Sequence, residues 1–150
     1  RSMATSRRIP RSMPPVTMAV QNLHVTYRFP GFSCSRVGAE TIWRGSLQPC
    51  EVSPAYLVEV RYRLGRWPTV RVVRPNLVPG APHLYAGGTL CLFWPDQWVW
   101  RSHELVAETI IPWTALWLYY YELWLDTGEW LGPSSHQLSP KDKNEGAYDA

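Results

Sequence analysis

Apolar and polar residues alternate along Ala55 to Arg63, AYLVEVRYR. Tyr56, Val58, Val60 and Tyr62 fall on one face, and Glu59, Arg61 and Arg63 on the other. A period of two carried by β-branched and aromatic residues predicts a half-buried antiparallel strand. Thr41 to Gln48 (TIWRGSLQ) and Thr69 to Arg74 (TVRVVR) read as strands on either side of it. The connections are short and carry Pro49, Pro54, Gly65 and Pro68, so a meander is the simplest topology. Upstream, Val20 to Phe29 (VQNLHVTYRF) alternates loosely, and its period fits either a helix or a further strand.

Pro75 to Gly88, PNLVPGAPHLYAGG, is too rich in Pro and Gly for regular structure. A long loop between a sheet and a helix is a natural place for chemistry. A helix is expected beyond it. Ser102 is its candidate N-cap, Glu104 and Glu108 favour its N-terminal half, Pro112 can start a second helical segment in its first turn so that a kink or break is expected there, and Gly128 is a C-terminal stop. Ile110 to Leu125 is apolar, but Pro112 and Glu122 interrupt it, so it reads as a buried helix rather than a membrane span. Its Trp and Tyr residues surround the helix instead of forming one stripe. Core packing is the ordinary explanation, and a partner groove the alternative. Some of Trp113, Trp117, Tyr120, Trp124 and Trp130 are expected on the surface as one patch, covered by a second copy or another protein. Glu122 and Asp126, four apart, read as a solvated edge.

Composition sharpens this picture in three ways. Nine Trp in 150 residues demand burial or an interface. The net charge of +3 sits in the arm: Arg1, Arg7, Arg8 and Arg11 precede any acid, and the remainder carries −1. No extended basic face for nucleic acid is therefore expected. Cys34, Cys50 and Cys91 are odd in number and widely spaced, without a CxxC pair. That pattern fits a reducing, cytoplasmic setting with one functional thiol better than disulfides or zinc. Gly87-Gly88 lacks the Lys and Ser/Thr of a phosphate loop, and the four His are scattered, so no cofactor and no metal are expected.

A lone Cys in an apolar strand is ordinarily a small core residue. Cys91 has a different context, HLYAGGTLCL, after a Gly-rich turn and before a run of Trp. A reactive thiol needs partial exposure and a polar partner, which a loop can supply through backbone N–H groups. Pro82, His83, Tyr85, Gly88, Leu90, Cys91 and Leu92, with Trp98 or Trp100 beyond, resemble the active-site segment of ubiquitin-conjugating enzymes. The resemblance covers roughly residues 40–126. It implies an α/β (α+β) fold of that type: a four-stranded antiparallel meander with flanking helices. It also implies an acyl group carried as a thioester on Cys91. Aligned on Tyr85 and Cys91, Ala81 stands where the family has His, and His83 where it has Asn. In the family that Asn stabilises an oxyanion or holds the loop. His83 is expected to take this role or assist proton transfer, and Tyr85 to shape the site.

A second resemblance lies in ETIIPWTALWLYYYELWLDTGEWLG, Glu108 to Gly132. It carries Pro112-Trp113, Trp117-Leu118, Tyr121-Glu122, Trp124 and Thr127-Gly128-Glu129-Trp130. It is similar to bacterial ubiquitin-conjugating-like proteins of anti-phage cyclic-oligonucleotide (CBASS) operons. His136 could fill a His position of that pattern. The resemblance implies a protein partner, a cGAS-like nucleotidyltransferase whose C-terminus is attached to an acceptor. The organisation expected is a basic arm over 1–18, one domain over 19–132 and a flexible tail over 133–150. Two rivals stay open: a non-catalytic binding module of the same fold, and a cysteine hydrolase, which would need a better-defined Cys/His/acid set.

Overall fold

The computed structural model describes residues 13–93 and 96–133. In chain order the elements are α1 (Met18–Arg28), β1 (Ser33–Val37), β2 (Glu40–Leu47), β3 (Tyr56–Tyr62), β4 (Thr69–Arg74) and α2 (Ile110–Thr127). The strands form one antiparallel sheet in sequential order, β1-β2-β3-β4. This is the expected four-stranded meander with helices, and it resolves the segment whose period fits either a helix or a strand. Val20–Phe29 falls largely in α1, capped by Thr17, whose hydroxyl accepts from Val20 N–H. The additional strand is β1, SCSRV, which is exposed throughout. An edge strand without a buried face has no hydrophobic alternation to detect. The turn at Gly38, with φ +60°, pairs it to β2.

Tyr56, Val58, Val60 and Tyr62 are all buried, on one face of β3 as their alternation predicts. They share a core with Trp43, Leu47 and Val70 of the sheet and with Ile110, Ile111, Trp117, Leu118 and Tyr121 of α2. Gly45 on β2 faces a ring: a Cβ there would lie 2.2 Å from the Phe32 ring. Gly45→Val should destabilise the fold by about 1–3 kcal/mol. Urea unfolding measures this, and an unchanged midpoint would mean that Phe32 swings aside at no cost.

Glu59 sits on the opposite face of β3 and is nonetheless buried. Arg61 Nε and Arg44 Nε donate to its carboxylate, the latter at 2.6 Å, and Arg61 Nη1 reaches Glu40 at 2.8 Å. Burial pushes the Glu59 carboxyl up. The hydrogen bonds and charges of Arg61 and Arg44 outweigh that and hold it below the usual carboxylate range. A carboxyl depressed in the folded state stabilises the fold above its unfolded value, and this contribution is lost as pH falls through the folded value. Melting temperature measured against pH should therefore fall on the acid side, and Glu59→Gln should flatten that limb. An unaltered limb in the variant would assign acid sensitivity to other carboxylates.

The helical expectation after Ser102 is corrected. Residues 101–109 contain turns, and α2 begins at Ile110, with Thr109 as its N-cap and no side-chain cap bond. Pro112 lies in the first turn, where its missing N–H breaks no ladder bond, so α2 continues through it. The reason lies far away in sequence. Gln21, fully buried on α1, donates to Glu104 O at 2.7 Å and accepts from Val106 N–H at 3.0 Å. Ser102 O accepts from Val16 N–H at 2.8 Å. These backbone groups are taken by α1 and its lead-in rather than by a helical ladder. Gly128, with φ +77°, ends α2, and its N–H bonds to Trp124 O. Among the described residues no helix is long and apolar enough to cross a membrane.

Candidate active site

The segment before Cys91 folds into a small hairpin. Gly88 N–H bonds to Tyr85 O, Tyr85 N–H to Thr89 O, and Cys91 N–H to His83 O, each at 2.9 Å. Leu84 and Leu90 form the bridge between the two arms. Gly88 is favoured by its φ of +84°; a Cβ there would also meet the flexible end of Arg71 at 3.0 Å, which could move aside. Leu90 N–H bonds to Val70 O on β4 at 2.8 Å, and its side chain enters the core. Cys91, next in sequence, is half-buried and lines a cleft instead.

α2 holds the same segment from the other side. Trp117 Nε1 donates to His83 O at 3.2 Å, and Tyr121 OH accepts from Val78 N–H at 2.9 Å. Trp117 stacks on Tyr121, with ring centroids 5.5 Å apart and planes 11° from parallel. Glu122 fixes α2 to the sheet. It accepts from Ser53 Oγ at 2.6 Å and Tyr56 OH at 3.0 Å. The Tyr56 phenol is accordingly pushed well up, by burial first and then by the hydrogen bond to and charge of Glu122. The solvated-edge expectation is thus corrected for Glu122, a tie rather than an edge; Asp126 is exposed as expected.

The sulfur has two described neighbours. Its Sγ lies 3.8 Å from Phe93 O, and the Tyr85 phenol interacts electrostatically with it. The Tyr85 phenol is pushed up to about 12, first by hydrogen bonding with Cys91 and then by burial and the charge of the sulfur. It stays protonated near neutral pH and is able to donate. The expected backbone N–H groups at the sulfur are not the ones described: Gly88 and Cys91 N–H bond to carbonyls within the hairpin. His83 is brought into the site in another manner. It has φ +57°, a left-handed conformation more readily tolerated by His or Asn than by most side chains. Its carbonyl accepts from both Cys91 N–H and Trp117 Nε1. Its ring lies 4.7 Å from that of Trp130, which borders the cleft.

The cleft has a volume of about 290 Å³. Phe93, Trp98, Trp113, Trp117, Tyr120 and Trp130 form most of its wall, and Leu116 closes one side. Trp98 meets Trp113 edge to face at 4.7 Å. Of the two Trp candidates beyond Cys91, Trp98 lines the cleft and Trp100 lies in the core. The aromatic residues of α2 divide the same way. Trp117 is buried and Trp113, Tyr120 and Trp124 half-buried, while Leu116, Tyr119 and Leu125 are exposed. Gly132 admits the Tyr120 ring, since a Cβ there would come within 2.5 Å of it. Sequence reasoning found Cys91, Tyr85 and a Gly-rich turn before the thiol, but not the hairpin. It missed Phe93 and Leu116 as wall residues and Gln21, Tyr121 and Glu122 as supports. No local pattern marks these, because their partners are remote in sequence. His136 lies outside the described residues.

Comparison with curated proteins gives no match. A protein-family comparison matches residues 21–137, which take in most of α1, the whole sheet, Cys91 and α2, to the family described as Type II CBASS E2 protein. The match covers well over half of the chain and agrees with the resemblance in the Cys91 and α2 segments. The chain belongs to the Type II CBASS E2 protein family.

Proposed function

We propose that this protein is a thioester-forming conjugating enzyme of bacterial antiviral defence, with Cys91 as its nucleophile. The observation that carries the reading is a half-exposed thiol at an aromatic cleft, beside a protonated Tyr85, on a hairpin tied to both β4 and α2. Membership in the family supplies the biological setting.

In the first step the sulfur of Cys91 attacks the activated carbonyl at the C-terminus of a protein partner. A C–S bond forms, the bond to the activating group breaks, and that group leaves with the electron pair. The thiol proton passes to His83 or water. In the second step an acceptor amine attacks the thioester carbonyl. A C–N bond forms, the C–S bond breaks, and the sulfur departs to be reprotonated. Tyr85 donates to the sulfur while it carries charge, and His83 donates to the oxyanion or moves the proton. The partner we assign is the cGAS-like nucleotidyltransferase of the same operon.

The experiment is electrophoresis of this protein with that nucleotidyltransferase and an activating source, with and without reductant. A band at the combined mass that disappears with reductant supports the reading. A mixture that never yields such a band removes it.

A further inference from the structure

We infer that the cleft beside Cys91 is a side-chain pocket that selects a donor with a large apolar residue at or next to its activated C-terminus. This inference rests on the thioester reading above and adds the substrate class. Three features carry it. The cleft holds about 290 Å³, close to the roughly 300 Å³ at which pockets for small ligands begin. A tail of glycines has no side chain to fill it and would leave the exposed parts of the aromatic wall against water. Among the described residues none that lines the cleft is charged, and Gln97 brings the one side-chain amide. An acidic or basic donor side chain would lose its water there without a partner. Finally, the thiol belongs to the lining itself, so covalent chemistry fixes one end of the occupant. Cys91 shares the cleft with Trp98, Trp113 and Leu116, so with the carbonyl carbon at Sγ the side chain of the last or penultimate residue is the group we assign to it.

The same lining favours the activated donor over the free acid. A free carboxylate beside these rings would be a desolvated charge, whereas a thioester is neutral. The step is a thioester exchange: the Cys91 sulfur takes the acyl carbon, the old C–S bond breaks, and the leaving thiol takes the proton.

The test uses short synthetic peptides activated as C-terminal benzyl thioesters. One series is all-glycine at its end, and the others place Phe or Asp at the last or penultimate position. Acylation of the intact protein is followed by mass spectrometry, with Cys91→Ala as background. Phe at one of the two positions should load about ten-fold or more faster than Gly, and Asp slower than Gly. Leu116→Glu should reduce the Phe-to-Gly ratio; Leu116 is 46 % exposed and outside the core, so this variant should retain the fold. Equal rates for all peptides, each above background, would overturn the pocket and leave the thioester reading standing. No loading above background by any peptide would overturn both. Faster loading by an octanoyl benzyl thioester than by every peptide would assign the cleft to lipid acyl groups instead. An undiminished Phe preference in Leu116→Glu would place the selection elsewhere.

Discussion

Cys91→Ala will abolish the reductant-sensitive adduct, while Cys34→Ala and Cys50→Ala will leave its yield unchanged. All three thiols are accessible to some degree, so exposure does not separate them. Position does. Cys34 lies on the edge strand β1, paired with Trp43 of β2. Cys50 sits in the turn after β2, with its sulfur 2.9 Å from Ser53 Oγ. Neither lines the cleft. Alanine at position 91 removes a sulfur whose described partners are Phe93 O and Tyr85, and Leu90 keeps the hairpin anchored, so the fold should survive. Cys91→Ser gives a second readout. Any adduct it forms would be an ester, stable to thiols and cleaved by alkali. Persistence of the wild-type adduct in Cys91→Ala would remove the central claim. Loss of the adduct in all three alanine variants would point to unfolding, which a thermal melt of each variant settles.

His83→Ala will slow discharge of a preformed thioester by about 10² to 10³ if its ring supplies one oxyanion donor. The backbone complicates this substitution, because position 83 has φ +57°. Alanine there costs about 1–2 kcal/mol of left-handed strain, and the strained carbonyl is the one that holds Cys91 N–H and Trp117 Nε1. Two further variants separate ring from backbone. His83→Gly removes the ring and relieves the strain, so slow discharge there implicates the ring. His83→Asn keeps a donor on a residue that tolerates this conformation and should recover most of the rate. Single-turnover discharge to a small amine measures all three. Wild-type kinetics in His83→Gly would reduce His83 to a backbone element of the hairpin.

The parts that were readable before the structure are those whose cause is local. The alternation of Tyr56, Val58, Val60 and Tyr62 defines β3 because one face is buried and the other is not. Gly128 ends α2 through its own conformation. The Tyr85–Leu92 string marks the thiol because the hairpin is short and its turn takes a positive φ at Gly88 that glycine adopts without strain. What could not be read depends on partners distant in the chain. Ser102 looked like a cap until Gln21, more than eighty residues earlier, claimed the Glu104 carbonyl and the Val106 N–H. Glu122 looked solvated because nothing near it announces Ser53 or Tyr56. β1 escaped because an exposed edge strand has no apolar face to advertise. The Trp residues fell between the two expectations: some rings fill the core, and others make the wall of a cleft.

Tying the Cys91 hairpin to two elements at once has a consequence for the timing of disorder. Leu90 is anchored on β4, and the His83 carbonyl and Val78 N–H are held by α2. Fixing a residue's backbone costs about 1–2 kcal/mol of conformational entropy, and here that cost is borne when the chain folds. Under the proposed mechanism, a donor arriving at the cleft meets a nucleophile already oriented, and its own tail is the main freedom still to be lost. Loading should therefore respond more strongly to stiffening of the donor than to stiffening of this protein.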